Sequence, residues 1–244
     1  MSSIYSLNVN NSSLSVDLSG GRIVGLVLNK IPILGTFNRI DGKKGNTHLC
    51  IPNFGEEGVK KYGLPNHGPA RDAVWKLIDK NNSSLTIRYD MKKIGSYPTT
   101  LSIIQTFSLE QDLFKQEITI VNTGNETSPV NCAIHYYWYT SHGWNDVQLN
   151  GQNVSEFIKK DTAINLDTKT SVDIPALPDI QLETSVNFKK IQLWTARKEG
   201  EGMMMYDQDY VCMEPALGTD DFFGNEESML SPKESLSMWV RLTI

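Results

Sequence analysis

The sequence predicts an all-β chain, folded as a large antiparallel β-sandwich of many short strands. Three observations carry that expectation. Helical periodicity is almost absent, apolar and polar residues alternate at period two in segment after segment, and Gly- and Asn-containing turns separate those segments. Alternation at period two puts one face of a strand against a core and the other in a wetter setting.

In chain order, the first strand candidates are Tyr5–Val9 and Ile23–Leu28, followed by a turn at Asp41-Gly42-Lys43-Lys44-Gly45. Strands are then expected over Ala73–Ile78 and Leu85–Tyr89. In Leu101–Leu109, Leu101, Ile103, Phe107 and Leu109 share a face, with Gln105 as the one polar interruption. In Phe114–Ile120, Phe114, Ile118 and Ile120 oppose Lys115, Glu117 and Thr119. A turn at Asn122-Thr123-Gly124-Asn125-Glu126 precedes a strand over Val130–Tyr139, and Asn150-Gly151 marks another turn, because Asn and Gly tolerate positive φ. Lys159–Pro178 is polar and reads as exposed edge strands or a loop. Ile191–Ala196 and Tyr210–Met213 follow. The last segment sets Leu236, Met238, Val240 and Leu242 against Ser235, Ser237, Trp239, Arg241 and Thr243. No composition shift suggests a linker, so residues 1–244 are read as a single domain.

Bulk properties narrow the function classes. A chain of 244 residues can bury roughly 70–75% of its unfolded surface, so it needs no disulfide or metal staple. The formal net charge is −5, and no basic run exceeds two adjacent residues. That argues against nucleic acid or an anionic membrane as partner and leaves a small polar ligand. Cys50, Cys132 and Cys212 form no CxxC pair and sit among apolar neighbours, which favours buried, reduced thiols. Residues 1–13 lack a charged and apolar leader pattern, and no apolar stretch approaches the ~18–20 residues needed to span a bilayer. The expected location is the cytoplasm, as a monomer or weak homodimer.

Three segments display groups able to do chemistry. In Leu64–Trp75, Pro65, Gly68 and Pro69 fix an irregular backbone from which His67 and Arg71 project. Such a loop suits ligand binding, or else is a surface loop with a hydrogen-bonded His. In Asn131–Tyr139, alternation places Cys132, Ile134, Tyr136 and Trp138 on one face, and Ala133, His135, Tyr137 and Tyr139 on the other. His135 among phenols suits a pyranose, which joins apolar C–H patches to hydroxyl rims, or else a satisfied core histidine. In Tyr210–Asp220, Glu214 is expected to end an apolar strand that Pro215 halts by removing an N–H. A carboxylate there is a desolvated general base or a solvated strand-end Glu.

In this order and spacing, Leu49-Cys50-Ile51-Pro52-Asn53-Phe54-Gly55, His67-Gly68-Pro69-Ala70-Arg71 with Trp75, His135-Tyr136-Tyr137 and Cys212-Met213-Glu214-Pro215 resemble the galactose mutarotase-like superfamily. Within it the chain is similar to the aldose 1-epimerase and hexose-6-phosphate 1-epimerase-like branch. The HGxAR loop with the downstream Glu-Pro is the more specific part, and the match spans most of the chain. The resemblance implies a supersandwich fold and interconversion of α and β anomers of a hexose or hexose 6-phosphate. It implies Glu214 as base at O1, His135 as acid at O5, and His67 and Arg71 as substrate-binding groups. His48 stands where phosphohexose-acting relatives usually have an Arg, with Arg39, Lys43 and Lys44 as possible compensating cations. Asp146, with Asn145, follows His135 at a plausible distance for the family's sugar-binding Asp, and Trp194 is a sugar platform or a core residue. That chemistry requires neither a metal nor a redox cofactor. A second reading keeps the fold as a non-catalytic sugar-binding or sugar-sensing protein. A third makes His67, His135 and Glu214 ligands of a catalytic metal, although no HxH spacing accompanies them.

Overall fold

The computed structural model describes residues 3–200 and 202–244. Two large sheets dominate it, both antiparallel. Along one sheet the order is Ile4–Val9, Ser12–Asp17, Arg22–Leu28, Ile31–Leu34, Tyr137–Tyr139, Tyr210–Ala216, Ala133–His135 and His48–Cys50. Lys190–Trp194 joins it on the free side of Tyr210–Ala216, and Thr162–Asn165 pairs beyond. The second sheet runs Gln152–Asn153, Gln148–Leu149, Lys169–Asp173, Ile180–Thr184, Ser235–Thr243, Leu113–Asn122, Leu101–Leu109, Ser84–Met91 and Lys76–Lys80.

Alternation explains how the sheets meet. Leu14, Ile134, Trp138 and Met213 of the first sheet enter one buried cluster with Ile103, Phe107, Phe114, Ile118, Val240 and Leu242 of the second. This is the sandwich expected from period-two patterning. The predicted inward residues of Leu101–Leu109, Phe114–Ile120 and the last strand are buried, except Leu236, which is partly so. All three cysteines are buried and free. Asn150 (φ 49°) and Gly151 (φ 76°) form a two-residue hairpin turn between Gln148–Leu149 and Gln152–Asn153, as Asn-Gly favours.

Gln105, the polar interruption, is buried and tied across the sandwich. Its amide donates to Gly21 O at 3.1 Å and accepts from Gln116 Nε2 at 2.7 Å. Gln116 Oε1 in turn accepts from the Tyr136 hydroxyl at 2.8 Å. A fully satisfied network of this kind costs little, and removing one member orphans its neighbours. Gln116→Leu leaves the Tyr136 hydroxyl and Gln105 Oε1 without partners. Urea unfolding is expected to show a loss of about 3 kcal/mol at an unchanged slope.

The structure departs from the sequence reading at several points. Lys76–Lys80, not Ala73–Ile78, forms the edge strand, because Val74 is held only by a bridge to Ser19. Two six-residue helices, Glu57–Tyr62 and Ser155–Lys160, are too short to register as periodicity. Val130–Tyr139 is not one strand. It breaks at Tyr136, whose N–H bonds back to Ile134 O at 2.9 Å. Pro215 does not end its strand, which runs from Tyr210 to Ala216. The Ile134 carbonyl opposite it is already satisfied by Tyr136, so no donor is asked of Pro215 at that point.

Candidate functional site

Strand register builds the site on the outer face of the first sheet. Ala133 pairs with Ala216 and Tyr137 with Cys212, which sets His135 opposite Glu214. His48 pairs with His135 on one side, and Gln192 pairs with Glu214 on the other. Four strands therefore carry a polar row, His48–His135–Glu214–Gln192. The flanking rows differ in character. Cys50, Ala133 and Ala216 are small, whereas two residues along Tyr137 and Trp194 place aromatic rings on either side of Cys212. A side-chain period of two turns this register into a polar floor with a low edge and an aromatic wall.

Above that floor lies a cavity of about 560 Å³, whose lining includes His48, His67, Arg71, His135, Trp194 and Glu214. Its size and mixed lining suit a small polar ligand. His135 Nε2 lies 3.3 Å from Glu214 Oε1. The His135 ring stacks between His48 and Tyr137, at centroid distances of 4.7 and 4.9 Å, and meets Trp194 edge-on at 5.6 Å. His67 approaches from the opposite loop, 6.0 Å from His135 in a T-shaped arrangement.

That loop is rigidly held. His67 itself has φ 59°, and Gly68 has φ 74°, where an added Cβ would meet Ile51 O at 1.9 Å. Pro69–Asp72 is a 3-10 turn, pinned by the Trp75 indole N–H donating to Ala70 O at 2.9 Å. Arg22 locks the same loop from below. It donates to Arg71 O at 3.1 and 2.7 Å, pairs with Asp72 at 2.9 Å, and donates to Asn46 Oδ1 at 2.9 Å. Asn46 O in turn partners His48 Nδ1 at 2.8 Å.

Burial sets the protonation states. It holds His48 down at about 3, with Asn46 O opposing and Arg71 adding to the shift. It holds His67 at about 4, helped by the Arg71 and Arg39 charges. His135 is pushed well below the usual imidazole value by burial and then by its His48 and His67 neighbours. Glu214 is pushed well above the carboxylate range by burial, with Asp161 adding to it. All three rings are therefore neutral at pH 7; His48 spends its one N–H on Asn46 O and keeps the Nε2 lone pair, while His67 and His135 each carry one N–H and one lone pair. His48 Nε2, His67 Nδ1, His135 Nδ1 and Glu214 Oε2 are buried and find no hydrogen-bond partner among the described residues. Buried polar atoms of this kind are normally satisfied, and here a ligand rich in hydroxyls would satisfy them.

Glu214, His135, His67, Arg71, His48 and Trp194, all proposed from sequence, border this cavity. Asp146 does not. It is exposed, because Trp144 and Val147 on either side of it turn into the core and Trp144 Nε1 anchors to Asp207 O. Tyr139 also turns away, packing on Phe37 at 4.8 Å and leaving Tyr137 as the phenol beside His135. Trp194 is a cavity wall, with the Arg39 guanidinium 4.7 Å above its ring. Of the candidate compensating cations, Arg39 and Lys43 reach the lining, and Arg39 is also paired with Asp41 at 2.5 Å.

The acidic residues of the lining missed from the sequence are Asp220, whose Oδ1 accepts from the Glu57 N–H at 2.8 Å, and Asp161. Asp161 caps the helix Ser155–Lys160 in a left-handed conformation (φ 56°) and accepts from Gln192 Nε2 at 2.8 Å. Asp tolerates that conformation better than most residues, but the signal is too local to point at a cavity. Gln192 was missed as well. Its alternation with Trp194 would have placed both on one face.

A family model described as Aldose 1-epimerase matches residues 4–178. A sequence search of curated proteins returns no match. Among solved structures, a putative aldose 1-epimerase from Escherichia coli K12 is similar at a TM-score of 0.77 and 18% identity, over 98% of each chain. A galactose mutarotase-like protein from Lactobacillus casei is similar at a TM-score of 0.78 and 14% identity, over 98% of this chain and 99% of that one. A galactose mutarotase related enzyme from Lactobacillus acidophilus gives 0.77 and 16%, over 98% and 96%. At these identities the likeness is one of fold. No helix among the described residues is long and apolar enough to cross a membrane.

Proposed function

This chain belongs to the aldose 1-epimerase family, and on that premise we propose that it interconverts the α and β anomers of a hexose or hexose 6-phosphate. The observation that carries the proposal is the buried His135–Glu214 pair, 3.3 Å apart at the floor of a cavity sized for a sugar.

In the resting site burial favours neutral His135 and a protonated Glu214 carboxyl. Across their contact this is the same proton inventory as an imidazolium beside a carboxylate. Moving one proton to His135 arms Glu214 as a base and His135 as an acid in the same step. Glu214 then removes the C1 hydroxyl proton as the C1–O5 bond breaks, and His135 protonates O5. The electron pair from the O1–H bond becomes the aldehyde C=O. Rotation about C1–C2 and closure by the reverse steps give the other anomer, with both groups restored. His48, His67 and Arg71 meet ring hydroxyls, while Tyr137 and Trp194 line the apolar side.

Polarimetry or NMR exchange on freshly dissolved α-D-glucose, α-D-galactose and glucose 6-phosphate tests the proposal. Faster equilibration of at least one sugar is expected, and unchanged rates for all of them end the epimerase reading. Calorimetric sugar binding without any acceleration would instead favour a sugar-binding protein on this fold. His135→Asn is expected to remove most of the activity. If glucose 6-phosphate is the substrate, Arg71→Ala should raise its KM by about 10–100-fold, the value of a charged hydrogen bond. Equal effects on glucose and glucose 6-phosphate would place the phosphate elsewhere.

A further inference from the structure

Cys212 takes no part in the chemistry proposed above, yet its thiol sits beside both groups that do. Among the described residues, a nitrogen of His135, Sγ of Cys212 and a carboxylate oxygen of Glu214 all lie within 4.8 Å of one another. Register explains the cluster: Cys212 and Glu214 are two apart on one strand and face the His135 strand from the same side. We infer that these three residues form a binding site for a divalent cation of the zinc class, opening into the sugar cavity.

Imidazole nitrogen, thiolate sulfur and carboxylate oxygen are the donor types that zinc selects. Zinc bonds of about 2.0–2.3 Å put tetrahedral ligand atoms roughly 3.3–3.8 Å apart, so side-chain rotation is enough to close the set. Two buried atoms, His135 Nδ1 and Glu214 Oε2, lack partners and leave ligand capacity unspent. Residue exposures of 7% for His135 and 2% for Glu214 mean that bulk water does not meet that need freely. The cavity supplies room for a water as fourth ligand.

Charge also balances. On binding, the S–H and O–H protons leave to bulk water as the metal–sulfur and metal–oxygen bonds form. One thiolate and one carboxylate then neutralise the divalent ion, so no net charge is buried. On the cavity side the cations are Arg39, held over Trp194, together with Lys43 and Arg71. A bound ion occupies the lone pairs of His135 and Glu214 together. Resting on the epimerase reading, this makes zinc an inhibitor competing with the sugar.

The test adds cobalt(II) to chelator-treated full-length protein and records the near-ultraviolet thiolate-to-cobalt charge-transfer band, followed by displacement with zinc. A one-to-one band is expected in the wild type and in Cys132→Ala, whose thiol faces the opposite core. It is expected to vanish in Cys212→Ser and Cys212→Ala. Zinc affinity in these variants should fall by at least about 10-fold, since even outer-sphere partners cost 10–100-fold. Zinc-free Cys212→Ser should equilibrate sugars at the wild-type rate and resist zinc inhibition by the same factor as its affinity loss. Cobalt that binds without the band, no binding at micromolar metal, or zinc held equally well by Cys212→Ala would each overturn the site. If circular dichroism shows that the Cys212 variants are unfolded, the wild-type cobalt spectrum decides alone. That spectrum is read without sugar, so it stands apart from whether the protein proves to be an epimerase.

Discussion

Replacing Glu214 by Gln is expected to lower the enzymatic rate of anomer equilibration by about 10²–10⁴-fold, the usual contribution of a positioned general base. Gln has the same shape and can hold the contact to His135, but it cannot take the O1 proton. Glu214 is 2% exposed and burial already favours its neutral form, so the variant has no packing to lose. Its stability should stay within about 1 kcal/mol of wild type, equivalent to about 2–4 °C in Tm for a chain this long. At pH above 7 the variant should be equal or more stable, because it has no charge to keep buried. A purely structural role for Glu214 predicts the reverse pattern, with Tm falling and the rate persisting. Polarimetry and thermal unfolding on the same preparation separate the two. A rate within twofold of wild type in a folded Gln variant removes Glu214 from the mechanism.

Acid should destabilise the protein between pH 7.5 and 5 through His48 and His67. Both are neutral in the fold, held at about 3 and about 4, whereas unfolded histidines take up protons near 6.5. Across that window the unfolded chain binds more protons, so stability rises with pH and falls as acid is added. At pH 5 each ring contributes a loss of about 2 kcal/mol, together about 4 kcal/mol. His135 acts in the same direction, since its folded value is also depressed. Glu214 acts in the opposite direction: its folded value is raised, so its stabilising contribution is present in acid and lost as pH rises. The two members of the pair thus act in opposite directions, and the share of His48 and His67 is isolated by replacing those two rings. Urea unfolding of wild type and of the His48→Asn/His67→Asn double variant, at pH 7.5 and 5, measures the difference. Asn at position 48 can still donate toward Asn46 O, which limits collateral damage. Parallel losses in both proteins would show that neither ring is depressed in the fold.

Much of the site was legible because strand alternation is a strictly local rule. It separated His135 and Tyr137 from Ile134, Tyr136 and Trp138 before any partner strand was known, and those two sets lie on opposite faces. The HGxAR loop was legible through Gly68 and its prolines, which constrain the backbone wherever they occur. What failed were inferences that needed a neighbour. Pro215 looked like a strand end because the broken partner at Tyr136 could not be seen. Asp146 lay at a plausible distance along the chain, but Trp144 and Val147 carry it away from the cavity. Asp161 reaches the cavity through a left-handed helix cap and a strand pairing that no single segment encodes.

By itself, then, the sequence determined the all-β class, which residues of each strand face the core, and the residue types able to move a proton. Those properties follow from side-chain period, turn chemistry and composition. Only the tertiary structure decided that His48, His135, Glu214 and Gln192 form one row across four strands, and that Cys212 stands beside them. Register between strands distant in sequence is a non-local quantity, and so is the burial that shifts the two catalytic candidates in opposite directions. An isolated His and an isolated Glu are ordinary side chains. At 3.3 Å, with burial moving one down and the other up, they stand within reach of passing a proton between them.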